Sequence, residues 1–124
     1  MSKTVQELFD LTGRVALVTG GTGHLGTAIS QALAEAGGTV VVSSRERVRA
    51  EAAAAKLPTP GGASHLGVEL DHMDEPSLHR GFDDALSRAG QIDILINNGH
   101  EALGADWSTV THDQFARHLA NVAG

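Results

Sequence analysis

Three glycines spaced G-x-G-x-x-G, Gly21, Gly23 and Gly26, stand inside the stretch TGGTGHLG, Thr19 to Gly26. Glycines at this spacing let a chain turn sharply, bring its backbone against a pyrophosphate and pack a helix close to a strand. The helix N-terminus then faces the anion. Purely structural turns produce the same pattern, so its context decides its weight. Here an apolar β-branched run, RVALVT, precedes the glycines and a segment of helical period follows, which are the confirming conditions for dinucleotide binding. A P-loop is excluded, because no Lys followed by Ser or Thr closes the glycines.

The end of the next apolar run distinguishes two cofactors. An acid there would bind the adenosine ribose hydroxyls of NAD, whereas an Arg suits the 2′-phosphate of NADP. The chain has Ser43, Ser44 and Arg45, which argues for NADP. The competing reading is a solvated Arg on the first turn of a charged helix, since Arg47 and Arg49 follow closely.

Positioning these groups requires strands alternating with helices. Short runs Arg14 to Thr19, Thr39 to Ser44, His65 to Asp71 and Ile92 to Asn97 read as strands, the third weakened by Gly67. Between them, Leu25, Ala28, Ile29, Ala32, Leu33 and Ala36 recur at helical spacing before a Gly37-Gly38 stop, and RERVRAEAAAAKL makes an Ala-rich helix. A third helix is expected from an Asp74 N-cap to Gly90, with Leu78, Phe82, Ala85, Leu86 and Ala89 on one face. A fourth is expected after Thr111 and Gln114, with Phe115, Leu119 and Val122 on one face. Four βα units predict an α/β Rossmann-type parallel sheet in the order 3-2-1-4, flanked by helices, as one dinucleotide-binding domain over residues 1–124.

Composition narrows the partners. Nine Lys and Arg against fifteen Asp and Glu give a net charge of −6, the wrong sign for a chain that binds nucleic acid. The absence of Cys removes disulfides and thiolate metal sites. Seven His residues suggest no metal site, because none shares a helix face with another at i, i+4. The start, MSKTVQELFDLTG, is neither a signal peptide nor a membrane span, so a soluble, cytoplasmic protein is expected.

Four segments in order, TGGTGHLG, Leu70-Asp71, Ile96-Asn97-Asn98 and NVAG at Asn121 to Gly124, make the chain resemble the short-chain dehydrogenase/reductase family. The resemblance runs from about Leu11 to the last residue. It implies an oxidoreductase moving hydride between NADP(H) and a small-molecule carbonyl or alcohol. It also implies that Gly20, Thr22, Gly23, His24, Leu25 and Gly26 surround the pyrophosphate and that Ser44 and Arg45 meet the 2′-phosphate. Leu70 and Asp71 would meet the adenine, and Asn98 would support the adenosine side and the centre of the sheet. Asn121 matches the family's catalytic Asn, which holds a water of the proton relay.

The chain departs from the family pattern in three places. His24 and Leu25 precede Gly26 where the family usually has Gly-x-Gly, and His100 follows Asn97-Asn98-Gly99 where a small residue is usual. The family's acid is a Tyr four residues before a Lys, helped by an upstream Ser. Such a group is needed because hydride transfer to a carbonyl leaves an alkoxide to be protonated. The chain has no Tyr, and its Lys3 and Lys56 lie far from the expected position. The expectation is therefore the cofactor-binding half of such an enzyme, inactive as given. The alternatives are a non-catalytic dinucleotide-binding module and a truncated chain stable only as an assembly. A homo-oligomer is expected, since the Ile92 strand would be an uncovered edge and the last helix carries an apolar stripe.

Overall fold

The computed structural model describes residues 4–98; Asn121, His100 and the helix expected after Thr111 lie outside them. The elements are α1 (Val5–Leu8), β1 (Val15–Thr19), α2 (His24–Glu35), β2 (Thr39–Ser44), α3 (Arg47–Ala55), β3 (Leu66–Glu69), α4 (Glu75–Ala89) and β4 (Ile94–Asn97). All strand pairs are parallel and the order is β3-β2-β1-β4, as the alternation of strand and helix signals predicts. Strand β1 lies between β2 and β4, with Val18 opposite both Val42 and Ile96. Its five residues are all buried, the mark of a strand covered on both faces.

Side chains alternate across this sheet and build two cores. Val18, Val40 and Val42 pack with Ala34, Ala54 and Leu57 beneath α2 and α3. On the other face Val15, Leu17, Val41 and Val68 pack with Ala85 of α4. The helices meet the sheet through small residues. Gly26, Ser30 and Ala34 are the buried positions of α2, Ala50 and Ala54 those of α3, and Ser77, Gly81 and Ala85 those of α4.

This shifts the faces expected from hydrophobic period. Leu25, Ala28 and Ala32 of α2 are exposed, while Ile29 and Leu33 flank the buried line. On α4, Ala85 is buried but Leu78, Phe82 and Leu86 stay substantially exposed. A hydrophobic pattern weights large apolar side chains, but a backbone lying close to a strand admits only small ones on the line of contact. Gly67 shows the same constraint from the strand side. A Cβ there would collide with the α3 backbone at Ala50 and Glu51, so the residue that weakens the strand signal is what lets α3 seat on β3.

Boundaries follow local chemistry. Gly90 ends α4 in the left-handed conformation (φ 86°) and donates its N–H to Leu86 O at 2.8 Å. Asp74 occupies the N-cap of α4, though its side chain makes no capping bond. The third strand is shorter than the His65 to Asp71 run. His65 leaves the ladder to use its ring: Val40 N–H donates to Nδ1 at 3.0 Å, and Nε2 donates to Pro58 O at 2.7 Å. The short α1 is not anticipated from periodicity; its signal is the capping spacing of Thr4, whose hydroxyl accepts Glu7 N–H at 3.1 Å.

Candidate functional site

The glycine turn joins β1 to α2 and is held by its own backbone. Gly20 takes a left-handed φ of 62°, which a side chain would disfavour, and Gly21 N–H donates to Ser43 O at 3.0 Å. The three spaced glycines have different duties. A Cβ on Gly21 would lie 2.5 Å from Val42 Cγ1, and one on Gly26 would collide with Gly20 O. On Gly23 it would meet nothing nearer than Gly20 O at 3.6 Å. Gly21 and Gly26 are thus demanded by the chain's own packing, whereas Gly23 is not.

Gly23 is the N-cap residue of α2, extended at φ −75° and ψ 176°, and brings no side-chain acceptor to the first turn. The uncapped N–H groups there are available to an anion, with the helix dipole in favour. Beside them opens a cleft of about 400 Å³. Gly20, Thr22 and Gly23 form one side, Ser44 and Arg45 another, and Leu70 with Asn98 line it as well. Of the residues expected from the sequence, these seven converge on one space at the C-terminal ends of β1, β2 and β3, where ligands bind in open parallel sheets.

The others stand apart from the cleft walls. His24 and Leu25 are exposed on the first turn of α2, and Gly26 is buried beneath Gly20. Asp71 is half-buried and serves the turn into α4: its Oδ1 accepts Met73 N–H at 3.0 Å, and its own N–H donates to Ser77 Oγ at 3.0 Å. Asn98 ties the cleft to the sheet. Its backbone N–H donates to Thr19 Oγ1 at 2.9 Å and its Nδ2 to Gly20 O at 3.4 Å, so the side chain braces the turn.

Three cleft residues were not singled out by sequence: Glu46, Arg49 and His72. Arg49 had a signal, its i, i+4 spacing from Arg45, but the same spacing describes a solvated helix face. Charge distribution separates the arginines. Arg47 Nε donates to Glu51 at 2.8 Å, which raises its pKa further, whereas no ion pair among the described residues includes Arg45 or Arg49. Further from the cleft, Asp93 is held below the usual carboxylate range by the Val15 N–H, helped by Gln91 and Arg14. A second groove of about 340 Å³, lined by Leu17, Leu78, Phe82 and Leu95, shares Leu70 and His72 with the cleft.

A helix start without a side-chain cap, the space at Gly23 and two arginines outside any ion pair among the described residues fit an anionic dinucleotide. Among the described residues, no group of three or more His, Cys, Asp or Glu could hold a metal ion, and no helix is long and apolar enough to cross a membrane.

Known proteins carry the same pattern. The family model described as short chain dehydrogenase matches residues 14–122. A 3-oxoacyl-[acyl-carrier-protein] reductase of Aquifex aeolicus is 39% identical over 88 residues, covering 71% of this chain and 36% of that protein. Among solved structures, a short-chain type dehydrogenase/reductase from Mycobacterium marinum superposes with a TM-score of 0.80 at 27% identity, covering 96% of this chain and 48% of that one. A 3-ketoacyl-(acyl-carrier-protein) reductase from Brucella melitensis, complexed with NADH, matches with a TM-score of 0.70 at 30% identity, over 89% of this chain and 44% of that one. The chain thus spans about a third of the length of the curated relative and under half that of these structures.

Proposed function

The chain belongs to the short-chain dehydrogenase family, and on that premise we propose that its cleft holds NADP(H) in the service of hydride transfer to or from a small-molecule carbonyl or alcohol. The observation that carries the cofactor choice is Arg45, without a carboxylate partner among the described residues, beside Ser44 at the end of β2. The bound cofactor would supply the hydride. The chain's residues hold it: the first-turn N–H groups of α2 receive the pyrophosphate, Ser44 and Arg45 the 2′-phosphate, and Leu70 the adenine side, while Asn98 fixes the turn on which these contacts depend.

In this reading residues 1–124 form the cofactor-binding half, with Asn121 as the one contributor to proton transfer. Since the sequence has no Tyr, it lacks the family's acid, which favours a second reading in which this stretch binds the dinucleotide without turning it over. We also propose a homo-oligomer, supported by the 59% exposure of Leu95 on β4, and a cytoplasmic location.

Titration calorimetry tests the cofactor choice. NADPH should bind more tightly than NADH by about 1–3 kcal/mol, the scale of a charge-assisted hydrogen bond. Arg45→Asp should reverse the order. Equal affinities in the unaltered chain would refute NADP.

A further inference from the structure

We infer that Arg49, on the first turn of α3, is the second specificity-determining residue of the cleft and that the 2′-phosphate is gripped between it and Arg45. This rests on the dinucleotide reading and adds a residue that the glycine and β2 motifs do not name. The cleft contains an acid as well as bases. Glu46 lines it with Arg45 and Arg49. Arg45 alone against Glu46 leaves this edge neutral, with no net attraction for a dianionic phosphate. Adding Arg49 gives one net positive charge, so it is Arg49 that tips the balance.

Geometry supports the pairing. Arg45 stands just before the Glu46 N-cap of α3 and Arg49 on its first turn, and among the described residues neither belongs to an ion pair, while the intervening Arg47 is occupied by Glu51 at 2.8 Å. Arg49 also lines an adjoining cavity of about 310 Å³ between α2 and α3, which reaches Thr22 from its other side. It therefore lines two adjoining spaces, one of which is the cleft itself. Its neighbour Ala50 is buried against the sheet, which fixes the backbone from which the side chain reaches.

The test compares NADPH and NADH affinities by calorimetry in the full chain and in Arg49→Gln, Arg47→Gln and the double variant Arg49→Gln with Glu46→Gln. Arg49→Gln should weaken NADPH by about tenfold and NADH by less than about twofold. Arg47→Gln should change neither, and the double variant should recover part of the NADPH loss because it removes the opposing acid. Circular dichroism of each variant separates lost binding from lost folding. If the unaltered chain prefers NADPH and Arg49→Gln keeps that preference whole, the Arg49 assignment falls while the NADP reading stands. An Arg49→Gln that weakens both cofactors equally also overturns it. If the unaltered chain shows no NADPH preference, or binds neither cofactor, the NADP reading falls and this assignment with it.

Discussion

Thr19, the last residue of β1, accepts the backbone N–H of Asn98 on its hydroxyl at 2.9 Å, so one strand end holds the chain as it leaves the neighbouring strand. The same hydroxyl lies 3.2 Å from Asn97 Oδ1 and 3.3 Å from Ile96 O as a donor. Thr19→Val keeps the shape and removes these hydrogen bonds. It should cost about 1–3 kcal/mol in urea denaturation and weaken NADPH binding, because Asn98 braces Gly20. Thr19→Ser should recover most of both losses.

The two kinds of glycine should separate by mutation. Gly26→Ala forces a methyl onto Gly20 O and should destabilise by about 1–3 kcal/mol or more in thermal melts. Gly23→Ala makes only an ordinary 3.6 Å contact with Gly20 O and should lower the melting temperature much less, by the modest cost of Ala at an N-cap. Equal destabilisation by both would contradict the division of roles.

How much of this was legible in the sequence depends on what each signal measures. The strand runs and the glycine spacing announced the sheet order and the turn because both depend on residue types at fixed offsets. Hydrophobic period does not locate the buried faces of α2 and α4, since Ser30 and Gly81 carry no hydrophobic signal although they lie on the buried line. Arg49 was visible only as one more charge on a charged helix. Its separation from Arg47 is a matter of ion pairing, since among the described residues Glu51 pairs with Arg47. Asp71 is expected from the sequence to meet the ligand; the structure adds a second use, its Oδ1 closing a turn through Met73 N–H, which spacing does not announce.

Ser30 offers a stabilising change. Its hydroxyl is buried and has no hydrogen-bond partner among the described residues, on a helix where Ala is the better former. Ser30→Ala should raise stability by about 0.5–2 kcal/mol in the same denaturation assay. A loss of stability would mean that the oxygen is satisfied in solution.

Acid should loosen the base of β1. Asp93 Oδ2 accepts Val15 N–H and Gln91 Nε2, each at 2.8 Å, which holds its pKa below the ordinary value near 3.9. A depressed carboxylate contributes stability that is fully present above that ordinary value and is lost as pH falls through the folded value. Unfolding followed from pH 6 to pH 2 should show this loss below about pH 4, and Asp93→Asn should flatten the profile there.

Turnover is expected to be absent. NADPH oxidation by the 124-residue chain with a panel of carbonyl compounds should stay at background, since no Tyr is available to protonate the alkoxide. A rate abolished by Gly26→Ala would show that another acid serves.

Gly67 lets the α3 backbone rest directly on β3, and this has a kinetic consequence for the cleft. The platform that carries Arg49 has no intervening side chain to compress or re-sort, so it is already in place when a ligand arrives. The ordering cost of capture then falls on the arginine side chains alone. Association should accordingly follow a single exponential whose rate rises linearly with ligand concentration. It should also slow with added salt, as expected for an encounter steered by charge onto a rigid seat.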